Sequence, residues 1–158
     1  MGDRTTVELT VLLEHADVVE NICEANHCSF SDVTETEEIA NFLFHDVNYG
    51  NLDILQNLVD AGIPYESYWE SGSEYGPGTA YCRFTPDGEA LLTEIYESER
   101  GLSLERLLPH IDDHKSLKKI ILLKQEQLAV LPLDKKQIQY GKVYLTKKLI
   151  TPSEITPI

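Results

Sequence analysis

An α+β fold is what this sequence predicts, with N-terminal helices packed on a small antiparallel sheet, then C-terminal helices and a final strand. Three observations carry that expectation. The apolar spacing switches along the chain between the period of a strand and that of a helix. A stretch rich in aromatic and β-branched residues, 65–97, is broken by a Gly/Pro segment at 71–78 and by Thr85-Pro86-Asp87-Gly88, which has Pro and Gly where a β-turn wants them. The chain has 158 residues, 42% of them hydrophobic, which is enough to bury a core in one domain. Residues 1–150 are expected to form that single domain. Residues 151–158, with Pro152 and Pro157, read as a flexible tail.

Taken in order, residues 5–13 alternate Val7, Leu9, Val11 and Leu13 against Thr6, Glu8 and Thr10, a strand pattern. In 15–26, Val18, Ile22 and Ala25 recur at helical spacing with Val19 and Cys23 beside them. Thr34 and Glu37 stand at the spacing of a capping box, with Glu35, Glu37 and Glu38 suited to a helix N-terminus. Ile39, Phe42, Leu43 and Val47 follow as an apolar stripe, so a second helix is expected there. Asn51 is the expected cap of a third helix with Leu52, Leu55, Leu58 and Val59 inward. Gly62 takes the left-handed position at its end, Ile63 packs back on Leu58, and Pro64 prevents continuation.

The period then changes. Segments 65–70, 79–85 and 89–97 read as a three-stranded meander, the rival for the last being a helix over 89–100 capped by Asp87 and closed by Gly101. Ser103 caps a short helix carrying Leu104, Leu107 and Leu108. A longer helix near 113–128 is expected to bury Leu117, Ile120, Ile121 and Leu128, with Pro132 beyond its end. Residues 135–150 read as a lysine-rich strand with Val143 and Leu145 on one face and Gly141 as a bulge.

Charge is the most informative bulk property. The net charge is −14, and it is unevenly spread: residues 1–100 hold 21 acids against 3 bases, whereas 101–158 hold 6 against 10. An acidic surface repels a nucleic-acid backbone, so no direct nucleic-acid binding is expected there, and it attracts and steers a basic protein. Lys115, Lys118 and Lys119 share one helical face, but without Arg or aromatic interleaving they read as solvated or as partners of the acids. No apolar run reaches the ~18 residues of a membrane span, and the N-terminus lacks the pattern of a signal peptide. Three cysteines, an odd number without a framework, point to reduced thiols and a cytoplasmic setting.

Motifs of chemistry are sparse. Cys23, His27 and Cys28 form the one compact group of metal-ligand types, yet the paired spacings of a zinc finger are incomplete, and no cofactor is expected. Cys82 follows the Gly76-Pro77-Gly78 turn and has His45, His110 or His114 as conceivable bases. Its alternation with Ala80 and Phe84 marks an inward, apolar position instead. The Gly-rich 71–78 segment lacks the Lys-Ser/Thr of a phosphate loop. Around it, however, Tyr65, Tyr68, Trp69, Tyr75 and Tyr81 gather near Glu66, Glu70 and Glu74, and Tyr and Trp are favoured anchors at interfaces.

The expected function is therefore an acidic inhibitor of the immunity or anti-defence kind, binding a basic protein such as a nuclease or other nucleic-acid enzyme. Its expected partner-binding residues are Tyr68, Trp69, Glu70, Glu74 and Tyr75. The alternative is a small hydrolase-like enzyme near 71–78 using Cys82 or the Glu70/Glu74 pair with a histidine. A weaker one is a nucleic-acid mimic.

Overall fold

The computed structural model describes residues 3–150, so the tail expected at 151–158 lies outside the described residues. Six strands form one antiparallel sheet: β1 (Arg4–Leu12), β2 (Asp32–Glu35), β3 (Ile39–Asn48), β4 (Tyr65–Trp69), β5 (Gly78–Phe84) and β6 (Ala90–Tyr96). Their order is β2-β3-β1-β4-β5-β6. Val7, Leu9 and Val11 of β1 are fully buried, as period 2 requires of a half-buried strand. Register sets Phe44, Phe42 and Ala40 of β3 opposite them on one side, and Trp69 and Ser67 of β4 opposite Val7 and Leu9 on the other.

Three helices cover this face. α1 (Ala16–Ala25) contributes Ala16, Val19 and Cys23 to the core, and α2 (Leu55–Asp60) contributes Leu58 and Val59. The last helix, here α5 (Lys136–Leu149), lays Tyr140 and Tyr144 against the same core, the Tyr144 ring 4.9 Å from Phe84. Between β6 and α5 lie α3 (Leu104–Leu107), capped by Ser103, and α4 (His114–Gln127). Among the described residues no helix is long and apolar enough to cross a membrane.

The mixed α+β character stands, but the expected arrangement does not. The molecule is not a set of N-terminal helices on a small sheet with a closing strand. Strands come first, in a six-stranded sheet of which the 65–97 meander is one half, and the helices mostly follow. Two segments account for the correction.

The helix expected from Thr34 is a β-hairpin. Thr36, not Thr34, organises the turn: its Oγ1 accepts from the N–H of Glu38 (3.3 Å) and of Ile39 (3.1 Å). Beyond it Ala40, Phe42 and Phe44 alternate inward, and Phe30 meets both phenylalanines edge-on at 5.1 and 6.1 Å. The helical reading linked Ile39, Phe42, Leu43 and Val47. Aromatic residues at every second position fit a pleated surface better, and tertiary pairing with β1 decides the matter.

The lysine-rich final strand is likewise a helix, α5. Asp134 starts it by accepting from the Lys136 N–H (3.0 Å), and Gln137 and Gly141 are its buried positions, four apart. Gly141 is no bulge. It is where α5 crosses the turn after α2, and a Cβ there would collide with the Gly62 carbonyl.

Smaller differences concern capping and burial. α2 ends as expected, with Gly62 at φ 69° and Ile63 N–H donating to the Leu58 carbonyl at 2.9 Å. It begins at Ile54, however, without a side-chain cap, so Asn51 does not play that part. α4 forms with Asp113 as its cap, accepting from the N–H of Lys115 and Ser116, yet none of its residues is fully buried and Ile121 is exposed.

Candidate interaction surface

An antiparallel sheet can bury one face and leave the other to water. Here the side opposite α1, α2 and α5 carries exposed or half-buried side chains across β2, β3, β1 and β4. Register gives its composition as two rows that cross the sheet. One runs Asp32, Leu43, Glu8, Tyr68, Thr79, Ile95, and its neighbour runs Thr34, Asn41, Thr10, Glu66, Tyr81, Thr93. Asp32, Glu8 and Tyr68 are exposed, while Leu43 and Glu66 are half-buried. Thr10 donates to the Asn41 side chain at 2.5 Å, and Thr6 lies 3.4 Å from His45, which ties β1 to β3 on this face.

Towards β5 the face closes. Arg83, 2% exposed, donates from Nε to the Leu131 carbonyl at 2.7 Å and from Nη1 to the carbonyls of Tyr65 (2.9 Å) and Cys82 (3.1 Å). Its Nη2 pairs with the Glu66 carboxylate. Four of the five N–H donors of this buried guanidinium are thus satisfied, and the bond to Leu131 pins the segment before α5 against the sheet.

The five residues expected to bind a partner are contiguous in sequence but divided in space. Tyr68 stands on the open face beside Glu8. Trp69 points the opposite way into the core, 7% exposed, its Nε1 donating to the Gly76 carbonyl at 3.0 Å and its ring edge-on to Tyr96 at 5.5 Å. A Cβ at either Gly50 or Gly78 would strike that ring system, so both glycines make room for it. Tyr75 packs against Tyr49 at 6.4 Å, and burial, then the Asp3 carboxylate, pushes its phenol pKa up. Glu70 and Glu74 are exposed carboxylates whose backbone is held down: Glu70 N–H donates to the Thr6 carbonyl (3.0 Å) and Glu74 N–H to the Asp3 carboxylate (3.1 Å). The 71–78 loop is thus stapled to the sheet by its tryptophan. Glu8, which the register sets opposite Tyr68, and Asp32, at the far end of the same row on β2, were not read as site residues from the sequence, and the alternation in β1 was the signal that placed Glu8 outward.

Cys82 lies in the core with no exposure, and burial pushes its thiol pKa up to about 12, so it is neither reachable nor ionised near neutrality. Among the described residues no group of three or more His, Cys, Asp or Glu side chains is arranged to hold a metal ion. A second surface of different chemistry lies on α4, where Lys115, Lys118 and Lys119 run into exposed Leu122 and Leu123. Comparison with protein-family models, with characterised proteins and with solved structures finds none that this chain matches.

Proposed function

We propose that this protein is an acidic inhibitor that docks a basic protein on the open face of its sheet, in its sharpest form blocking a nuclease or other nucleic-acid enzyme. One observation supports the reading above the rest. The register sets exposed Glu8 directly beside Tyr68 and places exposed Asp32 further along the same row, on the part of the sheet face away from α1, α2 and α5. Carboxylates around one exposed aromatic ring match Lys and Arg on a partner and give a rigid anchor among them. Glu70 and Glu74, at the end of β4 and in the following loop, extend the acidic field. The three free cysteines fit a reducing, cytoplasmic compartment.

The test is affinity capture on the immobilised protein, followed by kinetics with the purified captured protein. The captured protein should be basic, and its association rate should fall several-fold between about 50 and about 300 mM salt as the screening length shrinks. Glu8→Gln with Asp32→Asn should slow association, whereas Tyr68→Ala should speed dissociation at a cost of about 1 kcal/mol or more. Lys118→Ala on α4 should change neither. If the combined variant, shown folded by circular dichroism, binds the same partner with unchanged rates, the open face is not the interface.

A further inference from the structure

Two helices in the N-terminal half end in the same way. After α2, Gly62 is left-handed, its N–H donates to the Val59 carbonyl at 2.9 Å, and Ile63 N–H donates to the Leu58 carbonyl at 2.9 Å. After α1, His27 is left-handed at φ 53°, its N–H donates to the Glu24 carbonyl at 3.3 Å, and Cys28 N–H donates to the Cys23 carbonyl at 2.9 Å. Both are Schellman turns, in which the two residues joined by the longer bond bring their side chains together. In α2 that pair is Leu58 and Ile63, an apolar contact. In α1 it is Cys23 and Cys28, so the same turn brings two thiol side chains together. A disulfide bridges Cα atoms about 4.4–6.8 Å apart, a separation that a backbone bond between the same two residues keeps within reach.

The two thiols differ in access. Cys23 is 2% exposed within the core. Cys28 is half-buried and lines an open cleft of about 260 Å³ with Asn26, His27, His45 and Asp46, through which a small reagent can approach. Cys82, the remaining cysteine, sits apart on β5.

We infer that Cys23 and Cys28 form a reversible intramolecular disulfide, a modification site for low-molecular-weight disulfides of the glutathione class. Cys28, once deprotonated, attacks one sulfur of the reagent; the reagent's S–S bond breaks, and the departing thiolate takes up a proton. Cys23 then loses its proton and attacks Cys28 Sγ, breaking the mixed disulfide and releasing the second thiol. Two protons and two electrons pass from the protein to one disulfide, which leaves as two thiols. The product closes a ring across 23–28 and clamps the turn at His27. Burial raises the pKa of both thiols, that of Cys23 to about 12, so the reaction is slow at neutrality and speeds about tenfold per pH unit as the thiolate fraction grows.

The experiment incubates the folded full chain with glutathione disulfide at pH 7.5 and 8.5, quenches with acid, alkylates in denaturant and reads intact mass and linked peptides. The expected product has lost two of its three free thiols and two hydrogens, links the Cys23 and Cys28 peptides, and is restored by dithiothreitol. Cys82→Ser should behave identically. Cys28→Ser, checked for fold by circular dichroism, should yield no internal link. A stable glutathione adduct on Cys28, a cross-linked dimer, or three thiols surviving while the same chain in urea oxidises would each overturn the inference, as would a rate that does not rise with pH.

Discussion

Replacing Gln137 tests the least expected part of the fold, the docking of α5. Gln137 is 2% exposed; its Oε1 accepts from the Phe84 N–H at 2.8 Å and its Nε2 donates to the Phe84 carbonyl at 3.0 Å. β4 begins at Tyr65, opposite Cys82, so Phe84 extends past the end of that neighbour, and one side chain stands in for the missing strand. Gln137→Leu leaves a buried donor and a buried acceptor, each costing about 1–3 kcal/mol. Added apolar burial returns roughly 1–2 kcal/mol, for a net loss of about 2–4 kcal/mol. Urea titration followed by the fluorescence of Trp69, the single tryptophan, reads this directly. With a slope of about 2 kcal/mol per molar urea, the midpoint should fall by roughly 1–2 M. Gln137→Glu adds a pH signature. Its carboxylate still accepts from the Phe84 N–H but opposes the carbonyl, whereas the neutral acid donates again, so the folded pKa is raised above the unfolded value. A group raised in this way contributes its stability below the unfolded pKa and loses it as pH rises through the folded one. The deficit relative to the native protein should therefore be largest near pH 8 and shrink towards about pH 4.5. A Gln137→Leu variant within about 0.5 kcal/mol of the native protein, or a Gln137→Glu deficit that ignores pH, would refute the reasoning.

Gly141→Ala should destabilise the protein by about 1–3 kcal/mol, because the added methyl meets the Gly62 carbonyl. Were that crossing loose, the better helix former would instead stabilise by about 1 kcal/mol, so the sign of the shift in melting temperature decides. His27→Gly should stabilise by roughly 0.5–1 kcal/mol in the same urea titration by removing the cost of a side chain at φ 53°, and a loss would mean the imidazole makes a contact worth more than that strain. Cys23 and Cys82, both with pKa near 12, should resist iodoacetamide at pH 7.5 in the folded state and react once unfolded; rapid native alkylation of Cys82 would contradict its place in the core. Because their unfolded pKa lies near 9, the stability these thiols contribute is present below that value and should drain away as pH rises towards 12.

How legible this fold was depends on what specified each element locally. β1 and the end of α2 were readable because alternation in one, and Gly62 with Pro64 in the other, leave few alternatives. The hairpin of β2 and β3 was not, because Thr34, Glu37 and the acids around them satisfy a capping rule that only the pairing of Ala40, Phe42 and Phe44 with β1 overrides. α5 was misread because its buried residues are polar or small. Gln137 and Gly141 offer no hydrophobic period, and their roles are a hydrogen bond to Phe84 and a close approach to Gly62, neither of which is local in sequence. The aromatic cluster near 71–78 was visible as composition, but which ring faces which way follows from strand parity, and parity sends Tyr68 and Trp69 to opposite sides.

The same parity binds the proposed interface to the core. In β1, Val7, Leu9 and Val11 are buried because Thr6, Glu8 and Thr10 are not, and a slip of one residue would carry Glu8 inward and expose all three apolar side chains. Glu8, Tyr68 and Asp32 are held in their row by the pairings that seat Val7, Phe44 and Trp69. A surface fixed in this way loses little further backbone freedom on binding, so its carboxylates and its tyrosine meet a partner already ordered. On the proposed function, electrostatic steering would act on a rigid target, and substitutions on the open face that leave the alternation intact should alter recognition while sparing stability. Exposed positions such as Glu8 and Asp32 can change charge without disturbing any buried group, which is why they, and not Trp69, are the residues on which the binding proposal is tested.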